Sequence, residues 1–223
     1  MYPQGVAFHL CRLRAISPSE LDIYLDTKLN DDLWKAVENQ ETDKVIELLN
    51  KKADPNCKKY IEIESYMSEY QALSEQIIFL LGNCRMLSEL IKAGMDVTSS
   101  VDEDSILLKF IKIIDEDRTD LKNYFQVIIG AGVNINTLFI CKENKFTPLM
   151  YALLNAQYRV AKLLIELGAD VTIQQQYNKI VNNRGGILSY AWVPSDRTAY
   201  NIAVQQEQHE LVALIKAKMD EQK

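Results

Sequence analysis

The chain has 223 residues, 48% apolar and 25% charged, which suits one cored domain or a repeat array and excludes a fibrous or disordered composition. Its formal net charge is −6 with both signs interspersed, which argues against a nucleic-acid backbone as main partner and leaves room for one local basic patch. With no run of about 20 apolar residues, no membrane insertion is expected, and Met1 to Arg14 lack the pattern of a secretory signal.

Cysteine and histidine usage narrows the chemistry. Cys11, Cys57, Cys84 and Cys141 are widely spaced without a CxxC pair, which reads as free thiols in a reducing, cytoplasmic setting. Of the two histidines, His9 and His209, only His9 has a near cysteine, Cys11. A small Cys-dependent enzyme built on that pair is the weaker reading, because no further ligand or base adjoins it. The acidic clusters Asp102-Glu103-Asp104 and Asp115-Glu116-Asp117 lack the alternating oxygens and glycine of a calcium loop. No phosphate loop, HExxH or GxSxG occurs, so no catalysis, cofactor or metal is expected.

In chain order, Ser17-Pro18-Ser19-Glu20 predicts a helix start, with a capping helix from Pro18 to Leu29. A sharper alternative is an F-box-like helix that recruits a ubiquitin ligase. A helix pair follows in "DLWKAVENQETDKVIELLNKKADPN", from Asp32 to Asn56. "CKKYIEIESYMSEYQ" reads as a charged, aromatic surface element, for which an extra helical turn over the core is the plainest form. Helices at about Ala72–Leu81 and Ile106–Ile114 precede aliphatic helices that close at Gly94 and Gly132. Phe146 to Thr172, "FTPLMYALLNAQYRVAKLLIELGADVT", holds two more helices, with Thr147 as cap and Pro148 in the first turn. Gly168 takes the left-handed geometry that ends the second, and Asp170 bonds local backbone. Arg197 to Met219 closes the series, its last helix turning polar at Lys216 and Lys218.

The tails of these pairs echo one another: Ala53-Asp54-Pro55-Asn56, Gly94-Met95-Asp96-Val97, Gly132-Val133-Asn134-Ile135 and Gly168-Ala169-Asp170-Val171. Spacings of 42, 38 and 36 residues from Ala53 to Met95, Val133 and Ala169 signal stacked repeats. On Thr147-Pro148-Leu149, Ala152, Val160, Leu163 to Ile165 and the Gly168 tail, the chain resembles the ankyrin-repeat family. Lys52 departs from it, standing where the family has glycine. The resemblance implies an all-α, ankyrin-like helical solenoid of about five repeats (31–56, 57–98, 99–136, 137–172 and 196–219) behind a cap at 1–30. It also implies a probe of other proteins, through hairpin tips and the open face of the first helices: Tyr151, Leu154 and Asn155 in the fourth repeat, Lys35, Glu38 and Asn39 in the first. The degenerate middle repeats and Lys/Asn/Ile-rich usage are similar to ankyrin proteins that intracellular bacteria inject into host cells, which puts the site of action in host cytosol.

One junction is too long. Thr147 to Thr198 spans 51 residues, against about 33 for an ankyrin repeat. Tyr177 to Val181 and Ile187 to Val193 favour strands, and Asn182-Asn183-Arg184-Gly185-Gly186 is a turn signal, so a β-hairpin is inserted at about 174–195. Leu188, Tyr190 and Trp192 alternate onto one face, and Ile187, Ser189, Ala191 and Val193 onto the other. With Tyr177 and Arg184 these residues form the candidate binding element; otherwise the hairpin packs on the repeats. An adaptor that binds one partner protein as a monomer is the leading reading, and an inhibitor or immunity-type protein that blocks a partner enzyme is the alternative.

Overall fold

The computed structural model describes residues 18–64, 67–75, 82–98, 106–141, 143–184 and 187–221, with side chains described in these ranges except at 18–26, 60–71, 75 and 180–189. His9, Cys11 and the acidic cluster at 102–104 lie outside the described residues, as does most of the 1–30 cap. The chain divides into two compact units, Met1–Asp96 and Val97–Lys223.

In the first unit, α1 (Pro18–Glu38) runs unbroken for 21 residues. The expected capping helix and the first repeat helix are therefore one element. Asn30, Asp31 and Asp32 each cost only a few tenths of a kcal/mol of helix propensity, and neither Gly nor Pro separates the two predicted helices. Leu33, Trp34, Ala36 and Val37 form the buried stripe of α1. α2 (Thr42–Asn50) returns over it and buries Val45 and Leu48, and α3 (Cys84–Lys92) packs next to α2 through Met86, Leu87 and Leu90. Asn83 starts α3: its side-chain oxygen accepts from the Met86 amide at 3.2 Å, while its Nδ2 donates to Thr42 Oγ1 at 2.7 Å.

Between α2 and α3 the expected helical turn is replaced by a second hairpin. β1 (Lys58–Glu64) and β2 (Met67–Ala72) pair antiparallel from Lys58↔Ala72 to Glu64↔Met67. The alternation in Lys-Lys-Tyr-Ile-Glu-Ile-Glu has period two, which a helix cannot use. The helix expected at Ala72–Leu81 is likewise corrected at its start: Ala72 closes β2, and Leu73–Glu75 is a 3-10 turn with Leu73 buried; 76–81 lie outside the described residues.

In the second unit, α4 (Ile106–Ile113) is apolar on nearly every side and buries five side chains. α5 (Leu121–Gly130) buries Tyr124, Phe125 and Ile128, and Phe110 sits 5.3 Å from the Tyr124 ring and 5.2 Å from Phe125, edge-on to the latter. α6 (Pro148–Leu154) and α7 (Tyr158–Glu166) form the next pair, α8 (Ala199–Gln205) and α9 (His209–Glu221) the last. α4, α6 and α8 pack in succession, and α7 packs on α9.

Backbone geometry repeats more faithfully than sequence. First helices end alike: Glu41, Gln157 and Gln208 donate their amides to Ala36, Ala152 and Ala203 carbonyls at 2.9, 2.9 and 3.0 Å, beside left-handed Gln40, Ala156 and Glu207. Second helices end alike too. Ala53, Met95 and Ala169 reach back to Leu48, Leu90 and Leu164 at 3.0, 3.0 and 2.9 Å, with Lys52, Gly94 and Gly168 left-handed. Lys52 adopts φ 73° where its equivalent Gly168 has 94°, so the lysine carries the expected strain.

Asparagines hold three of the tails from the preceding element. Asn30 Oδ1 accepts from the Asp54 amide at 2.8 Å, Asn56 Oδ1 from Asp96 at 2.7 Å and Asn136 Oδ1 from Asp170 at 2.8 Å. Within a tail, Asp54, Asn134 and Asp170 accept from the amide two residues on, at 2.8, 2.9 and 2.8 Å.

The expectation of an all-α fold with one hairpin does not hold. Besides β1 and β2 in the first unit, the second unit contains a four-stranded antiparallel sheet, β3 (Phe139–Cys141), β4 (Asn144–Phe146), β5 (Gln174–Arg184) and β6 (Ile187–Thr198), with α6 and α7 between β4 and β5. The junction hairpin is present and longer than expected, because β3 and β4 give β5 a neighbour and its pairing continues to Gln174↔Thr198.

Candidate partner-binding surface

Thr147 fixes the start of α6. Its Oγ1 accepts from the Met150 amide at 3.3 Å, and Pro148 occupies the first turn, where no N–H is needed. This sets the phase of α6, with Leu149, Met150, Ala152 and Leu153 buried. Tyr151 and Leu154 are half-buried and Asn155 is exposed. Tyr151 and Leu154 are less open than expected of anchors: the Tyr151 ring meets Phe139 of β3 edge-on at 5.4 Å. Exposed Asn155 donates through Nδ2 to the Tyr151 carbonyl at 2.9 Å.

Register sorts the sheet residues by face. β4 meets β5 at Asn144↔Tyr177 and Lys145↔Gln176, and β5 meets β6 at Gln176↔Pro194, Tyr177↔Val193, Asn178↔Trp192, Lys179↔Ala191 and Ile180↔Tyr190. Trp192 and Tyr190 therefore share a face with Lys145 and Asn178, while Tyr177 lies on the opposite face with Lys179, Ala191 and Val193. The predicted set is thus divided between two faces. Tyr190 is 57% exposed and Tyr177 37%, and Trp192 is half-buried beneath Lys145, whose Nζ stands 4.6 Å from the indole centroid. Arg184 and Leu188 pair with Ile187 and Asn183 through the backbone; their side chains are outside the described residues.

Two contributors escaped the sequence reading, Phe139 and Lys145. The signal was present in Phe139-Ile140-Cys141 followed by the polar turn before Phe146, a short β-favouring run ahead of a turn. The face of Tyr177 is anchored inward: Phe139 and Phe146 are buried, and buried Gln175 donates through Nε2 to Asn144 Oδ1 at 2.7 Å.

In the first repeat, Lys35 and Asn39 are exposed, but Glu38 is engaged. It accepts from Trp34 Nε1 at 2.8 Å and pairs with Lys59 at 3.4 Å, and Lys59 also lies 5.5 Å from the Trp34 ring. Glu38 thus ties β1 to α1.

Ionisable groups elsewhere serve structure. Arg118 forks onto Asp120 at 2.9 and 2.8 Å, lies over the buried Tyr124 ring at 4.8 Å and donates to its hydroxyl at 3.2 Å. That bond to Arg118 holds the Asp120 carboxyl below the usual range. Burial, with Asp54 adding, pushes the Cys57 thiol up to about 11, so it is no thiolate nucleophile at neutral pH. Among the described residues, no group of three or more His, Cys, Asp and Glu side chains is placed to hold a metal ion, and no helix is long and apolar enough to cross a membrane.

Residues 144–175, which hold β4, α6, α7 and the start of β5, match the family model described as Ankyrin repeat. This stretch of the chain is thus an ankyrin repeat, and ankyrin repeats generally mediate protein–protein interaction as a non-enzymatic module. Among curated proteins nothing matches the chain.

Proposed function

We propose that this protein is an adaptor that grips one partner protein with its second unit, through the β3–β6 sheet and the adjoining α6 residues Tyr151, Leu154 and Asn155. One observation carries the reading. The β5–β6 hairpin extends past the two residues of β4 that pair with it and holds Tyr190 and Trp192 on one face, with Tyr190 largely exposed. Aromatic side chains dominate interface energies, each costing about 2 kcal/mol or more when an anchor is truncated. The degenerate middle repeats support a secreted effector acting in host cytosol as the setting.

Crosslinking capture from host and bacterial lysates, with wild type beside Tyr190→Ala/Trp192→Ala and Tyr151→Ala/Leu154→Ala, tests the proposal. The hairpin pair is expected to lose the captured partner with melting temperature nearly unchanged. Full capture by a stably folded hairpin variant removes the hairpin from recognition. If the captured protein is an enzyme that wild type silences, the inhibitor reading displaces the adaptor.

A further inference from the structure

The sheet ends on an open edge. β6 pairs with β5 on one side and with no strand on the other among the described residues, over a length of 12 residues. Such an edge presents a row of backbone donors and acceptors, and natural proteins guard it with charge, proline or a cover. Here Pro194 interrupts the row near its C-terminal end, in keeping with an edge position, and Ile187–Val193 precede it. A strand alongside those residues covers roughly 23 Å at 3.3 Å per residue.

Charge and side-chain alternation say what fits there. The four strands carry Lys145, Lys179, Arg184 and Arg197 against one acid, Asp196, in a chain whose net charge is −6. Lys145 is engaged over Trp192. Lys179 is exposed on the opposite face and is paired across the ladder with Ala191. Its cross-strand partner Ala191 is small, and a strand beyond β6 would lie about 10 Å from β5 at two strand spacings, a gap that a lysine and a facing glutamate close together. The Tyr190 and Trp192 face instead offers aromatic surface.

We infer that an extended acidic segment of the partner adds to β6 as a fifth strand, with alternate apolar residues on the Tyr190–Trp192 face and carboxylates on the Lys179 face. Main-chain hydrogen bonds supply the grip, and the two faces read the alternation. A second copy of this chain is a poorer occupant, because β6 carries a single acid, Asp196, and so offers Lys179 no row of carboxylates. The inference rests on the sheet being the recognition surface, and it specifies the partner's chemistry.

The probe is a fluorescent peptide of about seven residues alternating Glu and Val, titrated by anisotropy against the full chain. Expected are saturable binding, roughly a hundredfold loss when every second amide along one edge is N-methylated, and about tenfold loss for Lys179→Glu. A peptide with Lys in place of Glu is expected to prefer the Lys179→Glu protein, a charge swap that a folding defect cannot imitate. The inference is overturned if the acidic peptide does not bind, if N-methylation is without effect, if Lys179→Glu keeps the wild-type preference, or if sedimentation shows a dimer that occludes β6. Should the peptide fail while Tyr190→Ala/Trp192→Ala still abolishes lysate capture, strand addition falls and the hairpin reading stands. Should capture survive in that variant, the hairpin reading itself falls.

Discussion

The first repeat and the repeat at residues 144–175 reach the same backbone by different chemistry. Both end their first helix on a left-handed residue, Gln40 or Ala156, and their second on another, Lys52 or Gly168. Each tail receives an asparagine carbonyl, Asn30 or Asn136. Yet α6 begins at a Thr147 cap, whereas the first helix of the opening repeat is the second half of α1 and has no start of its own. The later repeat is specified locally, by Thr-Pro-Leu and Gly. The opening one is held by its neighbours: a longer helix, the Trp34–Glu38–Lys59 cluster and the stacked α2–α3 pair. Backbone form here is set by packing demands that several sequences satisfy.

Core truncation opens the comparison. Leu48 and Leu164 are equivalents, each accepting the amide that closes its second helix, and Leu164 is the more completely buried. Leu164→Ala is expected to cost about 3–5 kcal/mol and Leu48→Ala about 2–3 kcal/mol, read by urea unfolding. Equal costs break the view that the later repeat is the tighter.

Start signals come next. Thr147→Ala removes a cap and is expected to cost about 1–2 kcal/mol. Asp31→Pro, inside continuous α1, is expected to cost about 3 kcal/mol, and a negligible cost refutes the continuity of the helix. Circular dichroism melts separate the outcomes.

Turn residues sharpen it further. Lys52→Gly is expected to add about 0.5–1 kcal/mol by removing left-handed strain, and Gly168→Ala to subtract about 1 kcal/mol. Nothing lies within 4 Å of a Cβ placed on Gly168, so that cost is conformational and not a clash. A stabilised Gly168→Ala refutes the equivalence of the two tails.

The smallest effect is with pH. The folded pKa of Asp120 is depressed by Arg118, so the bond contributes stability above the unfolded carboxylate pKa, about 3.9, and loses it as pH falls through the lower folded value. The group is partly exposed, so the contribution is under about 1 kcal/mol. Asp120→Asn is expected to flatten the acid limb of stability below about pH 4 and to lower stability slightly at pH 7.

Legibility followed locality. The helices of the 144–175 repeat, its cap and its turn were readable because single residues dictate them: threonine, proline, glycine. The junction hairpin was readable from Asn-Asn-Arg-Gly-Gly between strand-forming runs. The β3 and β4 strands, three residues each, are too short for periodicity, and they exist because β5 and buried Phe139 and Phe146 support them. Tyr177 was grouped with Trp192 because strand contents are visible in sequence, whereas register between strands is not. Continuity of α1 is not legible because the apolar face that follows Pro18 and the repeat pattern from Asp32 are separate signals, and nothing between them marks a join; Asn30, which lies there, holds Asp54.

The asparagine contacts bear on how such a chain diversifies. Asn56 holds both Asp96 and the Gly94 carbonyl across an interval that contains the whole β1–β2 excursion. Because the grip spans the interval from its two ends, the hairpin within it can lengthen at little thermodynamic cost, since loop closure grows only slowly with length. Such a spot is a natural grafting port. Foreign sequence placed between Glu64 and Met67 is expected to be carried without disturbing the helices on either side, giving evolution and engineering the same free parameter.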